Sequence, residues 1–194
     1  MSRKNARNTR GKIVNAAWKL FYEQGYEDTT VEEIIDLSQT SKGSFYHYFD
    51  GKDALLSTLS SLFDEKYEEL MEQLKPEMTA MEQLLFLNAE LFGMIENSIS
   101  IELLARLYST QLITSGEKHL LDNNRIYYKL LRKIISRGQE AGQLSSASSV
   151  SEMVKLYALC ERALLYDWCL CSGSYSLRQY SSRVLPGFLS SFLP

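Results

Sequence analysis

Residues 40–53 read TSKGSFYHYFDGKD. Phe45, Tyr46, His47, Tyr48 and Phe49 stand together, with Lys42 before them and Lys52 after. Phe45, Tyr48 and Phe49 fall at i, i+3 and i+4, the spacing of one buried helix face. Tyr46 and His47 lie between those positions, so they point outward. Three readings are open for such a stretch: a buried corner, a platform on which single-stranded bases stack, or the reading head of a DNA-binding module. A stacking platform needs its rings exposed on one face, and this spacing buries most of them.

The flanks favour the third reading. Upstream, Ile13, Ala16, Ala17, Leu20 and Phe21 make one helical stripe, and Gly25 closes it as a C-terminal cap. Thr30 followed by Glu33 has the spacing of a capping box. The short helix it opens carries Val31, Ile34 and Ile35 on one face. Residues 38–41 are a polar break before the quoted stretch, and Asp50-Gly51 ends it. A longer packing helix followed by two short helices joined by a tight polar turn is a helix-turn-helix.

Charge agrees with this. Net charge is −3, which argues against a surface coated in cations. Residues 1–52 nevertheless balance at +1 and the remainder at −4. Arg3, Lys4, Arg7, Arg10 and Lys12 form a basic arm without acids. That asymmetry suits nucleic-acid contact, although a solvated tail has the same composition.

The stretch from Gly25 to Leu56, GYEDTTVEEIIDLSQTSKGSFYHYFDGKDALL, resembles the DNA-binding head of the TetR family of transcriptional regulators. The match lies in Thr-Thr-Val, Ser-Lys-Gly-Ser eleven residues on, Tyr-His-Tyr-Phe, and a lysine three residues later. Leu165-Tyr166-Asp167-Trp168, Gly173-Ser174-Tyr175 and a last amphipathic helix are similar to the family's C-terminal dimerisation helices. The resemblance implies phosphate contacts for Thr30, Tyr46 and Lys52. It places Ser41, Lys42, Gly43, Ser44 and His47 at or near base edges. Lys42 and His47 are the expected sequence readers, since lysine pairs with guanine O6/N7. In one respect the chain departs from the pattern: Gln39-Thr40 stands where the family often has glycine and an apolar residue. A non-glycine residue at positive φ costs on the order of 1 kcal/mol, so a differently shaped turn is an alternative.

Beyond the head the spacing stays helical. A long helix is expected from Lys52 toward Pro76, then helices at roughly 79–96, 99–113, 119–141, 148–172 and 177–192. The breaks between them fall at Thr114-Ser115-Gly116, at Gly142 with serines 145–149, and at Ser172-Gly173-Ser174. Pro186 should kink or end part of the last helix. The expected fold is all-α, with about nine helices: a three-helix head at 1–51 and an effector-binding and dimerisation body at 52–194.

Double-stranded DNA and a second copy of the chain are the expected partners, because helix-turn-helix proteins usually bind near-palindromic sites as dimers. Ala158, Leu165, Val184, Leu185, Phe188 and Phe192 are the candidate interface, with ordinary core as the alternative. For a small-molecule effector the candidates are Asn88, Gln111 and Glu161, polar residues on apolar faces, with Tyr108, Tyr127 and Trp168 as aromatic walls. Those walls suggest an apolar or aromatic compound, and Glu161 would suit a cationic group. For any single one of them a satisfied internal hydrogen bond is the simpler reading, and convergence in one cavity would favour a ligand. If the body holds no such pocket, it is a protein-interaction module. An enzyme is not expected: there is no nucleophile–base pair, metal spacing or phosphate loop, and no cofactor is called for. Cys160, Cys169 and Cys171 read as free thiols rather than a disulfide or zinc set. Without an apolar leader or an apolar run long enough to span a bilayer, the expected location is the cytoplasm.

Overall fold

The computed structural model describes residues 3–113 and 118–194, with side chains from Thr9 onward. The expected break at Thr114-Ser115-Gly116 and the side chains of Arg3, Lys4 and Arg7 lie outside the described residues. Ten α-helices and two 3₁₀ turns, and no strand, appear among the described residues. The chain divides into two compact units, Met1–Ser61 with Glu102–Ser115, and Leu62–Ile101 with Gly116–Pro194.

In the first unit α1 (Arg3–Gln24), α2 (Val31–Ser38) and α3 (Lys42–Tyr48) form the head. Gly25 ends α1 at φ +90°, a conformation that costs glycine no Cβ clash. The capping box at Thr30 forms in both directions. Glu33 N donates to Thr30 Oγ1, and Glu33 Oε2 accepts from Thr30 N at 2.7 Å. Ile13, Ala17, Phe21, Ile34, Phe45 and Phe49 are buried together with Leu55 and Leu56 of α4 (Lys52–Leu56). Tyr48, expected in the core, is only half-buried.

The turn before α3 takes the conformation its sequence makes costly. Gln39 sits at φ 53°, ψ 43°. Thr40 N donates to Ile35 O and Gln39 N to Asp36 O, the bond pattern of a helix end closed by a left-handed residue. Thr40 Oγ1 pairs with buried Ser38 Oγ at 2.8 Å.

The single helix expected from Lys52 to Pro76 is two helices, α4 and α5 (Leu59–Gln73). Three hydroxyls explain the break. Ser57, Thr58 and Ser60 donate to the carbonyls of Ala54, Leu55 and Ser57, and short polar side chains of this kind compete with the helical ladder. Trp18 Nε1 donates to Thr58 Oγ1 at 2.9 Å, fixing the break against α1.

In the second unit α6 (Ala80–Ser98) packs against α8 (Ile126–Glu140) and α10 (Leu177–Leu189), and α9 (Val150–Leu170) lies against α8 and α10. α7 (Ile101–Ile113) belongs almost wholly to the first unit. The helix expected over 119–141 starts only at Ile126. His119–Leu121 is a 3₁₀ turn, and Asp122 Oδ1 accepts from Asn124 N at 2.8 Å, a local bond that stops propagation. Asp64 on α5 then receives Arg125 at two points, 3.0 and 3.1 Å, just before α8 begins. α10 runs through Pro186 to Leu189 rather than ending there, and tightens into a 3₁₀ turn at Ser190–Phe192. Across the described residues no single helix is long and apolar enough to cross a membrane.

Candidate nucleic-acid interface and the buried polar cluster

The outer face of α3 follows from its inner one. Phe45 is fully buried and Phe49 nearly so, which turns Lys42, Gly43, Tyr46 and His47 to solvent. Ser41 caps the helix, accepting from Ser44 N at 3.1 Å. Its hydroxyl also meets that of Ser44 at 2.9 Å, so the two serines stiffen the first turn. Lys42 makes one exposed ion pair with Glu32 at 3.4 Å, of a kind worth about 0–1 kcal/mol and readily exchanged. His47 rests edge-on against Tyr48. Arg10 of the basic arm lies over the Phe49 ring, 5.4 Å from its centre. Thr30 is exposed at the start of α2.

Lys52 is placed differently from what the family resemblance implies. Its ammonium turns into the head and donates to the carbonyls of Tyr26, Glu27 and Thr29 at 2.5, 3.2 and 2.8 Å. It also sits 4.3 Å from the centre of the Tyr26 ring. An ammonium has three N–H groups, and here all three serve the loop between α1 and α2. The buried Tyr26 is the hub of this clamp. Its hydroxyl donates to Asp53, and the Arg106 guanidinium of α7 lies 5.6 Å from its ring centre while pairing with Glu27. Burial, then the Asp53 carboxylate, raises the Tyr26 phenol well above its ordinary value, so it stays protonated and donating.

In the second unit three of the candidate effector residues converge. Glu161 is buried on α9. Its Oε1 accepts from Asn88 Nδ2 of α6 at 2.8 Å, and its Oε2 from the Tyr127 hydroxyl of α8 at 2.6 Å. Tyr157 stands beside them and donates to Leu84 O. Tyr67 of α5 packs on Tyr127 at 5.1 Å between ring centres. Burial raises the Glu161 carboxyl above its ordinary 4.5, against hydrogen bonds from Asn88 and Tyr127 that pull it down. Both carboxylate oxygens already serve protein donors, so the cluster is a satisfied network joining three helices. Trp168 is elsewhere on α9, where its Nε1 donates to Tyr175 O at 2.9 Å. Tyr108 and Gln111 are half-buried on α7. Two adjoining cavities of about 420 and 480 Å³ lie in the second unit between α5, the start of α6 and α8. None of the six candidate effector residues lines either one.

Of the residues expected at a dimer interface, Ala158, Leu165, Leu185 and Phe192 are buried within one protomer. Val184 and Phe188 remain half-exposed. The apolar residues that face outward are a different stripe. Leu159, Ala163, Tyr166 and Leu170 on α9 recur at helical spacing, and Tyr180 is exposed on α10. α9 is apolar on two sides, and periodicity alone does not say which side the protomer keeps for itself. Burial also pushes the Cys160 and Cys169 thiols up to about 11, so neither is a ready thiolate at neutral pH.

Residues 13–59, which run from the middle of α1 to the first residue of α5, match the family described as bacterial regulatory proteins, tetR family. QacR of Staphylococcus aureus, a helix-turn-helix transcriptional regulator, is 29% identical over 154 residues, covering 75% of this chain and 80% of its own length. The head is a TetR-family DNA-binding domain. The fold of the whole chain follows that family too. FadR of Bacillus subtilis, solved in complex with stearoyl-CoA, superposes with a TM-score of 0.71 at 22% identity over 94% of this chain and 99% of that one. FadR of Thermus thermophilus, a TetR-family repressor solved with lauroyl-CoA, gives 0.72 at 23% over 95% of each.

For a TetR-family head, the groups that sequence reading missed are Tyr26, Asp53 and Arg106. Tyr26 follows Gly25 and looks like any core aromatic. Its partners lie 27 positions away at Asp53 and on a helix outside the motif, so no local pattern marks them.

Proposed function

We propose that the chain is a ligand-released transcriptional repressor that binds a near-palindromic operator as a dimer. The observation that carries this reading is α3 itself, anchored by Phe45 and Phe49 and presenting Lys42, Gly43, Tyr46 and His47 to solvent. Entered into a major groove, this face sets Lys42 and His47 at base edges. Gly43, with Ser41 and Ser44 beside it, lets the backbone approach, and Tyr46 and Thr30 meet phosphates. Lys52 acts one step back, holding the loop that leads to Thr30 in place. The dimer forms through the outward stripe of α9 with Tyr180, Val184 and Phe188 of α10, in a four-helix arrangement.

The effector shifts a population of head spacings by its differential affinity for the two states. Fatty acyl-CoA is the first class to test, because the same fold holds stearoyl-CoA and lauroyl-CoA in the two FadR proteins. Selection of bound duplexes from a random pool tests the reading. An inverted repeat should be enriched, and lauroyl-CoA should release it. A pool that converges on no inverted repeat overturns the operator half, and an operator that no acyl-CoA releases overturns this effector class.

A further inference from the structure

The two cavities between α5 and α8 share Met71, Leu130 and Lys133, and so form one furrow. Each falls within the roughly 300–1,000 Å³ of ordinary small-ligand pockets. Its two ends differ in charge. At the end near Pro76, Lys75, Lys133 and Arg137 line the wall, and no carboxylate does. At the end near Ile126, Glu68 and Glu72 line the wall together with Lys129, so the charge there is balanced. The floor between them is apolar.

The cations are costly where they stand. Lys129, Lys133 and Arg137 are exposed on α8 at i, i+4 and i+8. Like charges at that spacing destabilise a helix. Among the described residues no ion pair is recorded for these three or for Lys75, whereas Lys19, Lys42, Lys66 and Arg125 each have one. A stripe that repels itself beside an apolar floor is suited to an anion from outside the chain.

We propose that this furrow binds an amphiphilic anion. Its phosphate or carboxylate head is held by Lys75, Lys133 and Arg137, and its alkyl chain runs over Met71 and Leu130 toward Ile126. The carboxylates fix the direction: cations stand alone at the Pro76 end, whereas Glu68 and Glu72 offset Lys129 at the other. The proposal rests on the effector reading above and gives it a location distinct from the satisfied Glu161 cluster.

The test is direct binding of lauroyl-CoA, laurate and CoA to the full-length protein, by calorimetry, alongside release of the selected operator. Lauroyl-CoA and laurate separate a phosphate head from a carboxylate one. Lys133→Glu combined with Arg137→Glu should weaken whichever amphiphile binds by tenfold or more. Met71→Asp should weaken the chain-bearing probes and leave CoA alone unchanged. All three sites are exposed, and Lys155→Glu on exposed α9 surface serves as the charge control, with no change expected. The proposal is overturned if neither amphiphile binds, if charge reversal leaves binding intact, or if CoA alone binds as tightly as lauroyl-CoA. Binding that is lost on charge reversal but never releases DNA leaves the site standing and removes its effector role. Release that survives charge reversal does the opposite.

Discussion

On α3, Tyr46 and His47 face water; in the body, Asn88 and Glu161 face each other. Both pairs are polar groups set among apolar neighbours on a helix. The head spends its aromatics on an anchor so that its polar groups stay free for a partner. The body spends its polar groups on tying α6, α8 and α9 together. Polar residues on an apolar face therefore mark a binding site only when their own fold leaves them unpaired, and the furrow cations meet that condition better than Glu161 does.

The comparison breaks first at the anchor. Phe45→Ala should cost the head about 3–5 kcal/mol, as emptied aromatic sites do, out of roughly 5–15 kcal/mol for a whole domain. Thermal unfolding should show a separate low transition, and DNA binding should disappear with it. Retained operator binding would mean that α3 does not depend on that anchor.

In the body, Tyr127→Phe removes one donor and leaves Glu161 Oε2 unpaired, which should cost about 1–3 kcal/mol in chemical denaturation. Glu161 also sets a pH dependence. Its carboxyl is raised in the fold, so the folded state binds its proton more readily than the unfolded one. The stability this brings is complete below the ordinary 4.5 and is lost as pH rises through the folded value. Between pH 7 and 4.5 the wild-type melting temperature should rise relative to that of Glu161→Gln. Parallel pH profiles would show that Glu161 carries no such proton.

How far the sequence could be read follows the same division. Apart from the clamp that Lys52 and Asp53 make on Tyr26, the bonds that shape the DNA-facing motif are short-range. The Thr30–Glu33 box, the Gly25 cap and the Phe45/Phe49 spacing all lie within a few residues and are legible by eye. The body's bonds join Asn88 to Glu161 and Asp64 to Arg125, 73 and 61 positions apart. The polarity of those residues could be seen, but their partners could not. The break at Ser57-Thr58 was hidden for another reason, since Leu55, Leu56, Leu59 and Leu62 continue the apolar periodicity through it while hydroxyl groups end the helix locally. α9 has two apolar sides, and pattern alone chose the inner one for the interface.

A smaller effect sharpens the account of the turn. Gln39→Gly should raise stability by about 1 kcal/mol, because glycine meets no Cβ penalty at φ 53°. A loss of stability on that change would place the strain elsewhere.

The central claim is that the outward face of α3 reads DNA. The direct measurement is the affinity of Lys42→Ala/His47→Ala for the selected operator and for random duplex, across a range of salt. The account predicts a tenfold or greater loss on the operator, a small change on random duplex and an unchanged melting temperature, since base contacts specify and phosphate contacts position. A double variant that still discriminates the operator from random duplex as the wild type does would contradict it.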